Sequence, residues 1–122
     1  MPSVTSETLD PNGILVSDLP VVTRPVTVAS GQNLAVFSLV GKVSASGKVV
    51  LSLAASSDGS ETPYGVLLEA VDASGADAAG RVYRLGGLDE SLIQYGTGHT
   101  ADTVRDALDA QGLHLFKRQA LG

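Results

Sequence analysis

The sequence predicts an α+β fold that is mostly β: a compact unit of short strands with one well-formed helix near the C-terminus, preceded by an extended N-terminal arm. Three observations carry this expectation. The apolar runs are short, rich in Val and Leu, and bounded by Gly, Pro, Asp or Ser, which is a strand signature. One segment, residues 100–112, combines a helix start signal, a helical apolar period and a glycine stop. Residues 1–12 are polar, contain Pro2 and Pro11 and show no period, and Pro20 keeps the more apolar stretch that follows out of a central strand.

With 122 residues the chain suffices for one domain and a tail, divided here into an arm at 1–23 and a body at 24–122. A domain of this size buries roughly two-thirds of its unfolded surface. The 43% hydrophobic content supports a core, but aromatics are 4% and Trp is absent, so Val, Leu and Ala must fill it. These side chains bury less area than Phe or Trp, and oligomerisation would add stability. Cysteine is absent, which excludes disulfides and thiolate metal sites. A net charge of −5 argues against nucleic acid and anionic membranes as partners. No apolar run approaches the ~20 residues of a membrane span, and the N-terminus lacks the basic segment of a secretory signal.

In chain order, residues 1–12 are expected to be disordered in the free protein. Residues 14–22 are extended in character, either a solvated tail or an arm that becomes a strand on a partner's sheet edge. Residues 26–29 read as a short strand, 30–33 as a turn and 34–40 as a strand. Further short runs around 43–48 and 49–54, separated by Gly, suggest a meander or small barrel-like sheet. A loop at 55–61 turns at Asp58-Gly59. Residues 66–71 form a nearly continuous apolar run, as expected of a strand buried on both faces. A small-residue linker at 72–80 leads to a strand at 82–85. At 88–95, Asp89 and Glu90 suit a helical first turn that competes with a strand. Thr100 is a good N-cap, Asp102 lies in the first turn, Val104 and Leu108 share one face with Ala101, and Gly112 fits the left-handed terminus. Residues 113–118 read as a last strand that pairs back on the sheet.

Groups that carry chemistry are sparse. Gly96-x-Gly98-x-x-Ala101 mimics a dinucleotide fingerprint but lacks its βαβ context and its distal acid. Asp72 and Asp77 faintly resemble a calcium loop but lack enough oxygen ligands, and solvated turn residues are the better reading. Asp58, Glu61, Asp89 and Glu90 offer carboxylates without a cleft to pair them. His99 and His114 are the only histidines, too few for a metal site by themselves. No Gly-x-Ser-x-Gly elbow is present. No catalytic, cofactor-binding or metal residue is assigned, and the function is expected to lie in surfaces.

Several stretches resemble one known family in succession. These are Arg24-Pro-Val-Thr-Val-Ala-Ser-Gly-Gln-Asn-Leu, Leu39-Val-Gly-Lys-Val-Ser-Ala-Ser-Gly-Lys, Asp58-Gly-Ser-Glu-Thr-Pro and Val66-Leu-Leu-Glu-Ala-Val-Asp-Ala-Ser-Gly-Ala-Asp. The close is similar too: Gly96-x-Gly-His-Thr-Ala, a helix, then Gly112-Leu-His-Leu-Phe-Lys. Together, over about residues 24–118, they look like the tailed-phage head decoration (capsid cement) proteins of the lambda type. Two departures stand at Ala35-Val36-Phe37-Ser38, where members often carry Arg-Gly, and at Gly86-Gly87-Leu88, where many carry Gly-Glu-Phe.

The resemblance implies a non-enzymatic structural protein of the virion. It implies a homotrimer on the outer capsid surface, at threefold and quasi-threefold positions of the expanded head, which stabilises the shell. Its partner would be the major capsid protein, with no nucleic acid, membrane or cofactor involved. The arm would order against the capsid, and its apolar residues Ile14, Leu15, Val16, Leu19, Val21 and Val22 are the expected contacts. Two other classes are weighed. A carbohydrate- or receptor-binding β-rich surface module suits the fold but lacks Trp for sugar stacking. A virion enzyme would need a pocket gathering His99 with two acids.

Overall fold

A computed structural model describes residues 20–116. In chain order its strands are β1 (Val22–Val28), β2 (Gln32–Leu34), β3 (Leu39–Lys42), β4 (Val49–Leu51), β5 (Pro63–Leu67), β6 (Val71–Ala73), β7 (Ala78–Asp89) and β8 (Leu113–Phe116). A single 3₁₀ turn, Glu90–Leu92, follows β7, and helix α1 (Ala101–Gln111) precedes β8. The expected mostly β fold with one helix near the C-terminus is what forms.

The pairings trace a ring. β1 lies antiparallel to β7 from Val22↔Leu85 to Val28↔Ala78. β7 pairs with β5 at Val66↔Tyr83 and Leu67↔Val82, β5 with β3, and β3 with β4. β4 meets β1 at Val28↔Val49, so the sheet closes on itself as a small barrel. The distal end of β7, Gly86–Asp89, pairs in parallel with β8. A parallel neighbour requires a crossover, and α1 supplies it. β2 and β6 form a separate antiparallel ribbon.

Strand alternation divides the apolar residues between two clusters. Leu39, Val66 and Tyr83 face one way and pack with Phe37, Leu88 and Ile93, with Val104 and Leu108 of α1, and with Leu113 and Leu115 of β8. Their neighbours Val40, Leu67 and Val82 face the other way. They pack with Val28 and Val49 of the ring and with Leu34, Val71 and Ala73 of the ribbon. The central strands are therefore buried on both faces, and Val66 and Leu67 belong to different clusters.

Helix α1 forms as its sequence dictates. The Thr100 hydroxyl accepts from Thr103 N while Thr103 Oγ1 accepts from Thr100 N, a reciprocal cap. Val104 and Leu108 are its buried residues, and Gly112 ends it at φ 100°.

Several expected boundaries move. Residues 34–40 are not one strand: β2 stops at Leu34, and Phe37 adopts a left-handed φ of 64° before β3 begins. That conformation costs a bulky residue on the order of 1–3 kcal/mol. It turns the Phe37 ring into the core, with Phe37 N donating to Leu67 O at 3.0 Å and Gln94 N donating to Phe37 O at 2.9 Å. The run at 66–71 is likewise split, because β5 belongs to the ring and β6 to the ribbon, with a bend between them. The linker at 72–80 is largely strand, supplying the end of β6 and the start of β7. Glycines that punctuate the sequence thus lie inside a strand: a Cβ on Gly80 would sit 3.0 Å from Val71 Cγ2. Gln32 and Asn33, expected in a turn, pair with Ala73 and Asp72. Residues 88–95 combine both alternatives, two strand residues and then one 3₁₀ turn.

Gly41 is where the ring admits no side chain, since a Cβ there would lie 1.9 Å from Ser60 O. Gly75 has open space at the same position and no left-handed φ. Denaturant melts should therefore show Gly41→Ala strongly destabilised or unfolded, with Gly75→Ala within about 0.5 kcal/mol of the parent. Leu108→Ala, at a fully buried position of α1, should cost about 2–5 kcal/mol in the same measurement.

Candidate functional site

The residues most capable of chemistry are occupied in holding loops together. His99 stands on the loop before α1, with Nε2 at 3.1 Å from both Ser52 Oγ and Glu61 O. Ser52 Oγ donates to Ser60 O at 2.7 Å. Both groups facing Nε2 are thus acceptors, so Nε2 carries the proton. Ser52 is fully buried, and the pair ties the loop before β5 to the loop before α1 rather than exposing a nucleophile. The glycines of the dinucleotide look-alike pack on the same loop: a Cβ on Gly96 would lie 2.0 Å from Ser52 O, and one on Gly98 would lie 2.6 Å from Ala54 Cβ. A βαβ unit does exist, formed by β7, α1 and β8, contrary to the sequence expectation. Its glycines are spent on packing, which leaves no cradle for phosphate.

His114 projects from β8 opposite Leu113 and Leu115, with Nδ1 at 2.9 Å from Asp109 Oδ1. Among the described residues no three His, Asp or Glu gather as a metal site. Every buried side-chain nitrogen and oxygen among them has a partner.

The acidic residues follow a pattern the sequence displays but that was not read from it. Asp58, Asp72 and Asp89 each precede a serine by two positions. In each case Oδ1 accepts from both the serine N and its Oγ, at 3.0 and 2.5 Å, 3.0 and 2.6 Å, and 3.0 and 2.7 Å. This repeated Asp-x-Ser turn lets the chain reverse on a side-chain bond. Asp77 does more than solvate its turn, accepting from Ser30 N at 2.8 Å and pairing with Lys48 Nζ at 2.6 Å. It joins the loops around β1, β4 and β7.

Two arginines bind α1 to the sheet. Arg105 donates to Glu90 Oε1, Leu115 O and Asp102 Oδ1. The Glu90 contact, then Asp102, pushes its guanidinium pKa upward. Arg84 donates to Tyr64 O and to Gln111 Oε1, and its guanidinium lies 3.9 Å from the Tyr64 ring centre. Lys42 approaches the same ring at 4.9 Å. Burial, then the Glu90 charge, pushes the Tyr95 phenol up to about 12; its hydroxyl donates to Glu90 O.

Of the six expected arm contacts, Ile14, Leu15, Val16 and Leu19 lie outside the described residues. Val21 packs against the helix-side cluster, with Cγ2 3.5 Å from where Gly86 would carry a Cβ. Val22 opens β1 opposite Leu85. Leu85, Leu53 and Phe116 are the large apolar side chains most open to solvent among the described residues. The arm therefore enters the body beside an exposed leucine.

Asp58, Asp72 and Asp77 share a pH consequence. Ser60, Ser74 and Lys48 respectively, each backed by a backbone N–H, hold these carboxyls below their ordinary 3.8. A depressed native pKa contributes stability that is complete above 3.8 and is lost as pH falls through the lower native value. Melting temperature should thus fall as pH drops below about 4, and less steeply in Asp72→Asn, as thermal scans between about pH 5 and pH 2 would read.

No curated protein matches the chain. The profile of the family described as bacteriophage lambda head decoration protein D matches residues 4–115, most of the body and much of the arm. The chain belongs to that family, the phage head decoration proteins, structural components carried on the outside of the capsid.

Proposed function

We propose that this protein is a capsid cement. It binds as a homotrimer to the major capsid protein at threefold and quasi-threefold positions of the expanded head, and it stabilises the shell without catalysis. The observation that carries this reading is the family match running from residue 4 through the arm and across the body. In support, the buried polar side chains of the described body are committed to internal bonds, and the arm joins the body beside exposed Leu85.

The physics of the role follows from linkage. A protein that binds the assembled shell and not its free subunits shifts assembly by mass action. A single arm contributes little, since ordering it costs ~1–2 kcal/mol per residue in backbone entropy. Three arms on one rigid trimer share the cost of association, and avidity then exceeds single-arm affinity by about 10²–10⁴. Ile14, Leu15, Val16 and Leu19, with Val21 and Val22 at the root, supply the apolar contacts.

Sedimentation of the full chain should give a trimer; a monomer would overturn that part of the reading. Removal of residues 2–19 stops short of β1 and leaves Val21 and Val22 in place. The truncated protein should keep its oligomeric state and melting temperature while its affinity for expanded shells falls by about 10² or more. Normal occupancy of shells by the truncated form would remove the arm from the mechanism.

A further inference from the structure

The loop between β4 and β5 carries an Asp–Gly step, Asp58-Gly59, whose chemistry the decoration role leaves unused. An exposed Asp58 precedes a glycine at φ 101°, and no side chain on Gly59 shields its amide nitrogen. At such a step the glycine nitrogen attacks the aspartate Cγ. A five-membered succinimide closes, and one carboxyl oxygen leaves as water. Hydrolysis returns that water at either carbonyl. Opening at the main-chain carbonyl leaves an isoaspartate, with the backbone routed through the side chain and no net change in composition.

The reaction needs a carboxyl able to lose water and an amide nitrogen free to attack. The fold opposes both. Asp58 Oδ1 accepts from Ser60 N at 3.0 Å and Ser60 Oγ at 2.5 Å, which holds the carboxylate as an anion and turns it toward Ser60. Gly59 N donates to Glu61 Oε1 at 2.9 Å, so the would-be nucleophile is engaged elsewhere. We propose that Asp58-Gly59 is a latent isoaspartate-forming site, held in check by Glu61 on the nucleophile and Ser60 on the electrophile. The other two Asp-x-Ser turns have Ala73 and Glu90 after the aspartate and lack the glycine, so among the three turns the liability is confined to this one.

The position matters to the ring. Asp58 O accepts from Ser44 N at 2.9 Å, and Ser60 O accepts from Ser52 Oγ and lies where Gly41 has no room for a Cβ. A methylene added to the main chain between them would displace contacts that join this loop to the ends of β3 and β4.

The test ages the full-length protein and a synthetic peptide of residues 55–62 side by side at physiological temperature and pH. Isoaspartate at position 58 is quantified by peptide mapping, which separates it from Asn12-Gly13. The folded protein should react at least about tenfold more slowly than the peptide, because two protecting contacts are lost in the latter. Glu61→Ala should speed the folded protein about threefold to tenfold, the effect of losing one hydrogen bond. Glu61→Gln keeps the acceptor oxygen and should stay near the parent rate. Equal rates in protein and peptide overturn the proposal. So does an unchanged rate in a folded Glu61→Ala variant, or Glu61→Gln reacting as fast as Glu61→Ala.

Discussion

The fold rests on the pairing obligations of Ala78–Asp89. β7 is the longest strand, and it serves three partners along its length: β1 over its first eight residues, β5 at Val82 and Tyr83, and β8 from Gly86 onward. Its adjacent residues Val82 and Tyr83 enter different apolar clusters. A strand so placed needs small residues where partners crowd it and apolar ones where both faces are covered. Gly80, Val82, Tyr83, Gly86 and Gly87 meet that need. With so few aromatics, the packing relies on branched aliphatics meeting from both sides of a closed sheet, and at Val82 and Tyr83 the ring pairs β7 on both edges, with β1 and with β5.

How much of this was legible in the sequence depended on whether the signal was local. Helix α1 was, because Thr100, Val104, Leu108 and Gly112 each specify their position through contacts within a few residues. The double burial at Val66 and Leu67 was also visible as a continuous apolar run. A small barrel-like sheet was one of the two readings offered, but the pairing order was not legible, because closure depends on β1 meeting both β4 and β7, partners far away in sequence. Glycine was misleading in β7, where it signals close approach rather than a turn. Phe37 was misleading in another way: an apolar run gives no warning that one residue will take a left-handed conformation so that its ring can reach the core.

At the level of function, the sequence conveyed more through what it lacks than through any motif. The structure adds a reason. Ser52, His99, Asp58, Asp77, Glu90 and Arg105 are the residue types from which sites are built, yet Asp58 closes its own turn on Ser60 and each of the others is bonded across a loop junction. Side-chain bonds thus pin the loops of the described body to one another. Leu53, Leu85 and Phe116 are the large apolar side chains that remain open among the described residues.

The ring's closure also orders events in time. Leu39, Val66 and Tyr83 owe much of the cover on one face to Val104 and Leu108 of α1 and to Leu113 and Leu115 of β8, which come last among the described elements. During synthesis β1, β3, β5 and β7 therefore leave the ribosome before the cover for that face exists. The nascent chain carries a wet apolar face until Val104, Leu108 and Leu113 follow. Pairings as distant as Val22 with Leu85 are slow to find each other, so the last of these elements to be made serve as the latch that ends the sheet's period of vulnerability to aggregation.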